Sequence, residues 1–327
     1  MLEYAQKNSP KLIAVQIPEG LKTRAQEISR EIEEKTGAQT LLFIDPIFGA
    51  CMLADDKAHA LGAELLVHLG HNRFYKESMP TIYIPVNYQF TEKQLEDTAQ
   101  KIIQIAQKKK FHSIGLVSVI QTTHALPKIQ KKIEQENAEI SVLIGKENGF
   151  MSSGQVLGCN YSTASLIAKD VNAIFYIGDG RFHPIGLVIE TKKPVFTINP
   201  FSGETKEISN EREAFYKKRI TMIANAQSAK TFGILVSTEK GQFGITKARL
   251  VKKTIETEGK KAIILVGDLL KPDYLAGIRV DALVNTACPR IATDDSANYG
   301  VPVLSMYELE FALGKKDLKE FKLENTL

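Results

Sequence analysis

The sequence has few cysteines, no long apolar run and little net charge, and each shortage excludes a class of protein. Three cysteines in 327 residues are too few, and odd in number, for a secreted disulfide framework, so we expect a reducing, cytoplasmic setting. No stretch approaches the roughly 18 apolar residues of a membrane helix. The N-terminal MLEYAQKNSPKL has no basic region followed by an apolar run, which predicts no signal peptide. A net charge of +4 gives no support to direct nucleic-acid binding.

Common catalytic signatures are missing as well. The chain has neither G-x-G-x-x-G nor a Walker motif, and it shows no Ser–His–Asp set, H-E-x-x-H or paired-glutamate pattern. Ordinary nucleotide-binding, hydrolase and zinc-protease chemistry therefore find no support. Hydrophobic and charged contents of 43% and 24% are nevertheless typical of a globular protein with several buried cores.

The sequence does contain a threefold repetition of element order. Short apolar runs bounded by turn residues alternate with amphipathic segments, which predicts buried parallel strands alternating with helices. Four such strands occur in each third of the chain, so we expect an α/β protein of three similar small domains. Each domain would have a mainly parallel four-stranded sheet flanked by helices, with the functional site at the junction of the three. The predicted domains are residues 1–109, 110–215 and 216–327.

Each predicted domain contains one cysteine in a turn that follows a strand. Cys51 ends FGAC, Cys159 lies in the long Gly-rich loop GFMSSGQVLGCN, and Cys288 lies in TACPR. Cys51 and Cys159 follow the second strand of their domains, whereas Cys288 follows the third. Ligands of open parallel sheets bind at the carboxyl ends of strands, so we expect the three thiols to converge. Small flanking residues let the backbone approach a bulky ligand.

Three interpretations of the cysteines compete. A single cysteine is usually a small buried hydrophobe, so a metal-free ligand-binding α/β protein with three buried thiols is one interpretation. A structural zinc site needs four ligands and typically close C-x-x-C pairs, which are absent. We favour a 4Fe–4S cluster held by three cysteines, because one iron then stays open to a substrate.

Several polar turns follow strands on the same predicted edge. Taken singly, each is an ordinary capped turn. GDGRFH presents a carboxylate and an imidazole, STEKGQFG is a Gly-containing loop before a helix, and GHNRF is expected to add cations through His71 and Arg73. The side chains of interest in these turns and beside Cys288 are Asp179, His183, Gln242, His71, Arg73 and Arg290.

Together, five motifs resemble the archaeal 2-(3-amino-3-carboxypropyl)histidine synthase family, which catalyses the first step of diphthamide biosynthesis. The motifs are DPIFGACMLAD, GQVLGCN, IGDGRFH, STEKGQ and NTACPRIATDD, in the family's order between about Asp45 and Asp295. The resemblance implies homodimers of three-domain α/β chains in which Cys51, Cys159 and Cys288 hold a 4Fe–4S cluster. The chain departs from the family at two positions, where Phe48 replaces a common tyrosine and Asn160 a common acidic residue.

The resemblance also implies a transferase with radical chemistry. S-adenosylmethionine (SAM) would bind the open iron, and its 3-amino-3-carboxypropyl group would pass as a radical to C2 of a histidine of translation elongation factor 2. The by-product would be 5′-methylthioadenosine, and an unidentified donor would supply electrons. From charge and position we expect the amino acid end of SAM to contact Asp179, His183, Gln242 and Arg290. Quinolinate synthase, another triplicated α/β enzyme with three cysteines around a 4Fe–4S cluster, is the nearest alternative.

Overall fold

Three β-sheets, one after another along the chain, form the framework of the protein in a computed structural model that describes residues 1–326. Each sheet places the first strand of its unit between the second and the third, with the fourth strand beyond the third. All pairings among these strands are parallel. The repeated order confirms the predicted α/β fold of three similar units, and it gathers the strands' carboxyl ends at one edge of each sheet.

The first sheet has a core covered on both faces. Its strands are β1 (Leu12–Gln16), β2 (Gln39–Phe43), β3 (Leu65–Leu69) and β4 (Thr81–Ile84). Its helices are α1 (Leu2–Asn8), α2 (Ala25–Thr36) and α3 (Asp55–Ala60). The two central strands, β1 and β3, are almost fully buried, as expected for inner strands of a parallel sheet with helices on both sides.

The long helix α4 (Glu92–Lys109) joins the first unit to the second. Thr91 and Gln94 form a capping box at its start, in which each side chain bonds the other residue's backbone N–H. Its buried face, which includes Leu95 and Ile102, belongs to the hydrophobic core of the second unit. The helix therefore packs as part of the second unit.

The second sheet has one strand more than the sequence predicts. Its strands are β5 (Ser113–Ser118), β6 (Ser141–Ile144), β7 (Ala173–Ile177), β8 (Val195–Ile198) and β9 (Thr205–Glu207). Its helices are α5 (Leu126–Glu136), α6 (Ser162–Ile167) and α7 (Phe182–Thr191). The additional strand, β9, is an exposed edge strand antiparallel to β8. Three consecutive polar residues carry no alternating apolar signal, so the sequence could not indicate it.

Two helices that flank the third sheet are joined by a buried ion pair. The strands of this sheet are β10 (Thr231–Ser237), β11 (Lys261–Gly267), β12 (Ala282–Asn285) and β13 (Val303–Ser305). Its helices are α8 (Glu211–Gln227), α9 (Ile245–Thr257), α10 (Pro289–Thr293) and α11 (Met306–Ala312). Arg219 on α8 and Glu308 on α11 are fully buried, and Nε of Arg219 lies 2.7 Å from Oε1 of Glu308. Arg219 also donates to the carbonyls of Ala292 and Val303.

Two further expectations concern the whole chain. No helix among residues 1–326 is both long and apolar enough to cross a membrane. The division into domains at residues 1–109, 110–215 and 216–327 stays a prediction, and its last residue, Leu327, lies outside the described residues.

Candidate functional site

All three cysteines lie beyond the carboxyl ends of strands, as predicted. Cys51 lies in a single turn of 3₁₀ helix, Ala50–Met52, after β2. Cys159 lies in the long loop between β6 and α6, and Cys288 is the N-cap of α10 after β12. All three are free thiols; Cys159 is exposed, whereas Cys51 and Cys288 are half-buried.

The Cys51 turn lies directly against a loop of the third unit. Nε2 of Gln242 donates to Sγ of Cys51 at 3.4 Å. The backbone of Gly241 lies so close that a Cβ atom there would come within 2.5 Å of the Cys51 Cα. Only glycine permits this approach, so the STEKGQFG loop packs against the turn that holds Cys51.

Charged contacts strengthen the same junction between the first and third units. Nζ of Lys240 lies 2.9 Å from Oδ2 of Asp55 and 2.6 Å from Oδ1 of Asp56. Asp55 is buried, and Oδ2 also accepts from the backbone N–H of Ser78 at 2.8 Å. Burial alone would raise the pKa of Asp55, but the hydrogen bonds from Ser78 and Lys240 outweigh it and hold the pKa below its usual value. Asp55 is thus ionised and paired across the two units at neutral pH.

The Cys159 loop is held against the first unit by Asn72. Asn72 and the buried Gln155 exchange a pair of side-chain hydrogen bonds, each of 2.9 Å. Nδ2 of Asn72 also donates to the carbonyl of Phe150 at 2.7 Å. A loop this long would otherwise be free to move, and these bonds fix its position relative to the Cys51 turn.

The ring of Phe182 connects the Cys159 and Cys288 turns. A Cβ atom at Gly158 would come within 1.9 Å of the Phe182 ring, so the ring occupies the space that the missing side chain leaves. The guanidinium of Arg290 lies 5.2 Å from the centroid of the same ring, a cation–π contact. Nε of Arg290 lies 3.4 Å from Oδ2 of Asp295. Gly158 directly precedes Cys159, and Arg290 follows Cys288 by two positions.

The three sulfur atoms influence each other's ionisation. Burial raises the pKa of Cys51 to about 11, although the hydrogen bond from Gln242 lowers it and a charge on Cys288 raises it further. Although Cys159 is exposed, desolvation by the residues around its sulfur raises the pKa of Cys159 to about 12, and charges on Cys51 and Cys288 add to that rise. Burial also raises the pKa of Cys288. Three thiols from three units thus face one region, and a cation there must displace their protons.

The donors present distinguish between kinds of metal site. Among residues 1–326, no three side chains of His, Cys, Asp or Glu are spaced to hold a single metal ion. A mononuclear site would require all sulfurs within about 2.3 Å of one ion. A four-iron cluster is larger and takes its thiolates at wider separation. The donor set, one cysteine from each unit with an N–H directed at one sulfur, therefore fits an iron–sulfur cluster.

The residues expected to hold SAM divide into two groups. Asp179, His183 and Arg290 line one cavity of about 740 Å³, whereas Gln242 contacts Cys51. Burial and the nearby Arg290 lower the pKa of His183 to about 4, so its imidazole is neutral at neutral pH. Of these three residues Arg290 is then the cation, while Arg181 and Lys218 also line the cavity. Oδ1 of Asp179 accepts from the Gly180 N–H at 2.8 Å.

The GHNRF turn supplies one of the two cations that the sequence predicts, Arg73, and the prediction for His71 is wrong. Burial lowers the pKa of His71 to about 4, which leaves it neutral. Arg73 is charged, but it pairs with Glu77 at 2.8 Å and lies 5.3 Å from the ring centroid of Phe150. A histidine's charge depends on burial, which a sequence motif does not reveal.

Sequence analysis missed several buried polar residues that position the site. Gln16 donates to the carbonyl of Met52, beside Cys51, at 2.7 Å. Asn285 donates to the carbonyl of Cys288 at 2.8 Å and accepts from the Ala287 N–H, which shapes that turn. The available signal was a polar residue at the end of, or within, an otherwise apolar strand. Gln16, His68 and Asn285 lie in such strands. Asn72 and Gln155 lie in loops and bond each other.

The chain resembles known proteins over nearly its whole length. Residues 17–322 match the diphthamide synthesis protein family. The 2-(3-amino-3-carboxypropyl)histidine synthase of Pyrococcus horikoshii is 34% identical, over 98% of this chain and 91% of that protein. Subunit 1 of the human synthase is 28% identical, over 94% of this chain and 69% of that protein. The crystal structure of Dph2 from Pyrococcus horikoshii with a 4Fe–4S cluster superposes with a TM-score of 0.87 at 32% identity, over 99% of this chain and 91% of that one. The chain belongs to the diphthamide synthesis protein family.

Proposed function

We propose that this protein is a 2-(3-amino-3-carboxypropyl)histidine synthase that modifies a histidine of translation elongation factor 2. The reaction transfers the 3-amino-3-carboxypropyl group of SAM to C2 of the imidazole and releases 5′-methylthioadenosine. The observation that carries the proposal is the convergence of one cysteine from each unit in a chain that the Pyrococcus synthase matches over 98% of its length.

Cys51, Cys159 and Cys288 hold a 4Fe–4S cluster in this proposal. Three protein ligands leave one iron open to SAM. The bound cluster supplies the electron that cleaves SAM between its sulfur and Cγ. The N–H of Gln242 directed at Cys51 stabilises negative charge on that sulfur, because charge-assisted hydrogen bonds are stronger than neutral ones.

The amino acid end of SAM lies toward the cavity of Asp179, His183 and Arg290. Arg290 supplies the positive charge for the carboxylate, in a geometry that Phe182 fixes from one face. Asp179 offers an acceptor for the ammonium group. His183 is neutral and contributes hydrogen bonds only, and Gln242 contacts the ligand from the side of Cys51. The positions of these groups orient SAM so that one particular S–C bond faces the cluster.

The remaining partners follow from the same proposal. The chain functions as a homodimer, receives electrons from an unidentified donor, and binds elongation factor 2 as its protein substrate. It resides in the cytoplasm, where three free thiols stay reduced and available for iron.

One anaerobic experiment tests the proposal. The purified chain, reconstituted with iron and sulfide, is incubated with dithionite, SAM and elongation factor 2, and the products are analysed by mass spectrometry. We expect 5′-methylthioadenosine together with a modified histidine. Release of 5′-deoxyadenosine would indicate ordinary radical-SAM chemistry instead, and an absence of SAM turnover would favour a quinolinate synthase-like enzyme.

The cysteine assignment has its own test. Cys159→Ala should lose most of its iron and its broad visible absorbance while its far-UV circular dichroism stays that of the wild type, because the loop lies outside the sheets. A colourless, iron-free wild type would refute every cluster hypothesis. Full iron content in Cys159→Ala would show that this residue is only a thiol.

A further inference from the structure

We infer that a relay of hydrogen bonds, from Gln16 through His68 to His71, ends in a fixed nitrogen acceptor, Nε2 of His71. This acceptor binds an N–H donor of a ligand in the site. The inference rests on the proposed function for the identity of that ligand. It assigns a role to the GHNRF turn, which the proposed function leaves without one.

The relay begins beside Cys51. The side-chain amide of Gln16 donates from Nε2 to the carbonyl of Met52 at 2.7 Å, and its Oε1 accepts from the Ala54 N–H at 3.2 Å. The same Oε1 lies 2.8 Å from Nδ1 of His68. Nε2 of His68 lies 3.1 Å from Nδ1 of His71. Gln16 and His68 are both buried.

These contacts determine the tautomer of both imidazoles. A backbone carbonyl can only accept and a backbone N–H can only donate, so the orientation of the Gln16 amide is fixed. Its oxygen therefore requires a proton on Nδ1 of His68. The neutral ring then has a lone pair at Nε2, which must accept from Nδ1–H of His71. The lone pair of His71 consequently lies at its Nε2.

Both imidazoles are neutral at neutral pH. Burial lowers the pKa of His68 to about 3, and the neighbouring His71 lowers it further. Burial lowers the pKa of His71 to about 4. The ring centroid of Tyr83 lies 5.6 Å from that of His68, and no charged side chain is bonded to either histidine within residues 1–326. A second proton on His68 would break the bond between the two rings, whereas a second proton on His71 would occupy Nε2 and remove the acceptor there.

The hydrogen-bonded series connects residues that adjoin two of the cysteine loops. Nε2 of His71 accepts no hydrogen bond from residues 1–326, and it is not among the atoms buried without a partner, so it has accessible surface. The next residue, Asn72, bonds to Phe150 and Gln155 of the Cys159 loop. The relay itself starts at Met52, one residue after Cys51. An acceptor held from both loops is well placed to contact a ligand at their junction.

The proposed reaction brings two ligands with a suitable N–H. One is the α-ammonium group of SAM, and the other is the imidazole N–H of the target histidine, which is adjacent to C2. A fixed neutral acceptor suits both, because it needs no deprotonation and cannot repel an ammonium group. The shared chemistry is an N–H donor on a nitrogen close to the reacting carbon, and binding measurements with each ligand separate the two sources.

Two substitutions of His71 separate its inner and outer nitrogens. His71→Asn keeps a donor close to the position of Nδ1, and so keeps the bond to His68, but it has no acceptor at the outer position. His71→Gln places an amide oxygen close to the position of Nε2. We expect His71→Asn either to weaken SAM binding about tenfold, measured by anaerobic equilibrium dialysis, or to raise the KM for elongation factor 2 about tenfold. A change of this size corresponds to the loss of one hydrogen bond. His71→Gln should retain most of the affinity, and iron content should equal that of the wild type in both.

The relay can be observed without any turnover. In the full chain labelled with ¹⁵N-histidine, we expect His71 to be protonated at Nδ1 and not at Nε2. Gln16→Leu, which removes the fixed acceptor for His68, should abolish that single-tautomer signal. A wild-type His71 protonated at Nε2 would overturn the inference, as would a His71→Asn variant with unchanged affinity for both ligands. A wild type that produces no 5′-methylthioadenosine would instead refute the proposed function.

Discussion

The side-chain amide of Gln242, in the third unit, lies 3.4 Å from the sulfur of Cys51, in the first. This single N–H connects the chemistry of two units that are separated by almost two hundred residues of chain (191 positions). Hydrogen bonds to sulfur tune the reduction potential of iron–sulfur clusters. We therefore expect the contact to affect the reduction potential of a bound cluster as well as the packing of the two loops.

Gln242→Leu should lower the reduction potential of the reconstituted cluster. The N–H favours the more negative, reduced state, so its loss makes reduction harder, by on the order of 40 mV, or about 1 kcal/mol for one electron. Potentiometric titration followed by electron paramagnetic resonance measures the shift. Gln130→Leu, which removes a half-buried amide on α5, is the matched control and should leave the potential unchanged. Equal potentials for wild type and Gln242→Leu would rule out this role.

Gly241→Ala should disturb the junction between the first and third units. Its Cβ would come within 2.5 Å of the Cys51 Cα and 2.6 Å of its Cβ, so the two loops must separate. Overpacking of this kind costs roughly 1–3 kcal/mol. We expect reduced iron per chain and a lower temperature of unfolding. Gly20→Ala meets no atom within 4 Å and should bind iron like the wild type; wild-type iron content in Gly241→Ala would show that the loops can adjust.

Arg219→Met should destabilise the third unit more than removal of the whole ion pair. The single substitution leaves the fully buried carboxylate of Glu308 without its partner, at a cost of roughly 3–5 kcal/mol. The double variant Arg219→Met/Glu308→Leu removes the stranded charge and should recover part of that loss. Urea unfolding followed by circular dichroism measures both. A double variant no more stable than the single one would mean that the bonds from Arg219 to Ala292 and Val303 matter more than the charges.

Lys240→Met should reduce stability in a pH-dependent way. Lys240 pairs with the buried Asp55, whose folded-state pKa lies below its usual value, so the pair stabilises the folded protein above the unfolded pKa of about 3.9. The stabilisation disappears as the pH falls through the folded pKa of Asp55. At pH 7 we expect a loss of about 1–3 kcal/mol, shrinking below roughly pH 4.

Lys252→Met is the control for that substitution. Lys252 pairs with Glu256 on the surface of α9 at 3.7 Å, and both side chains are largely exposed. Its removal should change stability little at any pH. A difference between Lys240→Met and the wild type that stayed constant from pH 7 to pH 3 would contradict the assignment of the pair as ionic.

The sequence alone determined the repeated α/β architecture and the placement of the cysteines beyond strand ends. Both are local properties: an apolar run bounded by turn residues indicates a buried strand wherever it occurs. Thr91 and Gln94 likewise define the start of α4 within four residues. The polar edge strand β9 has no such signal, and it was the strand that sequence analysis missed.

Only the tertiary structure decided how the site is held together. Gln16 and His68 are 52 positions apart, Asn72 and Gln155 are 83 apart, and Gln242 and Cys51 are 191 apart. No spacing in the sequence indicates such pairs, because the first forms when two strands of one sheet pair and the other two form when different units meet. The charge of His71 was mistaken for the same reason: burial lowers its pKa to about 4, and burial is a property of the folded chain.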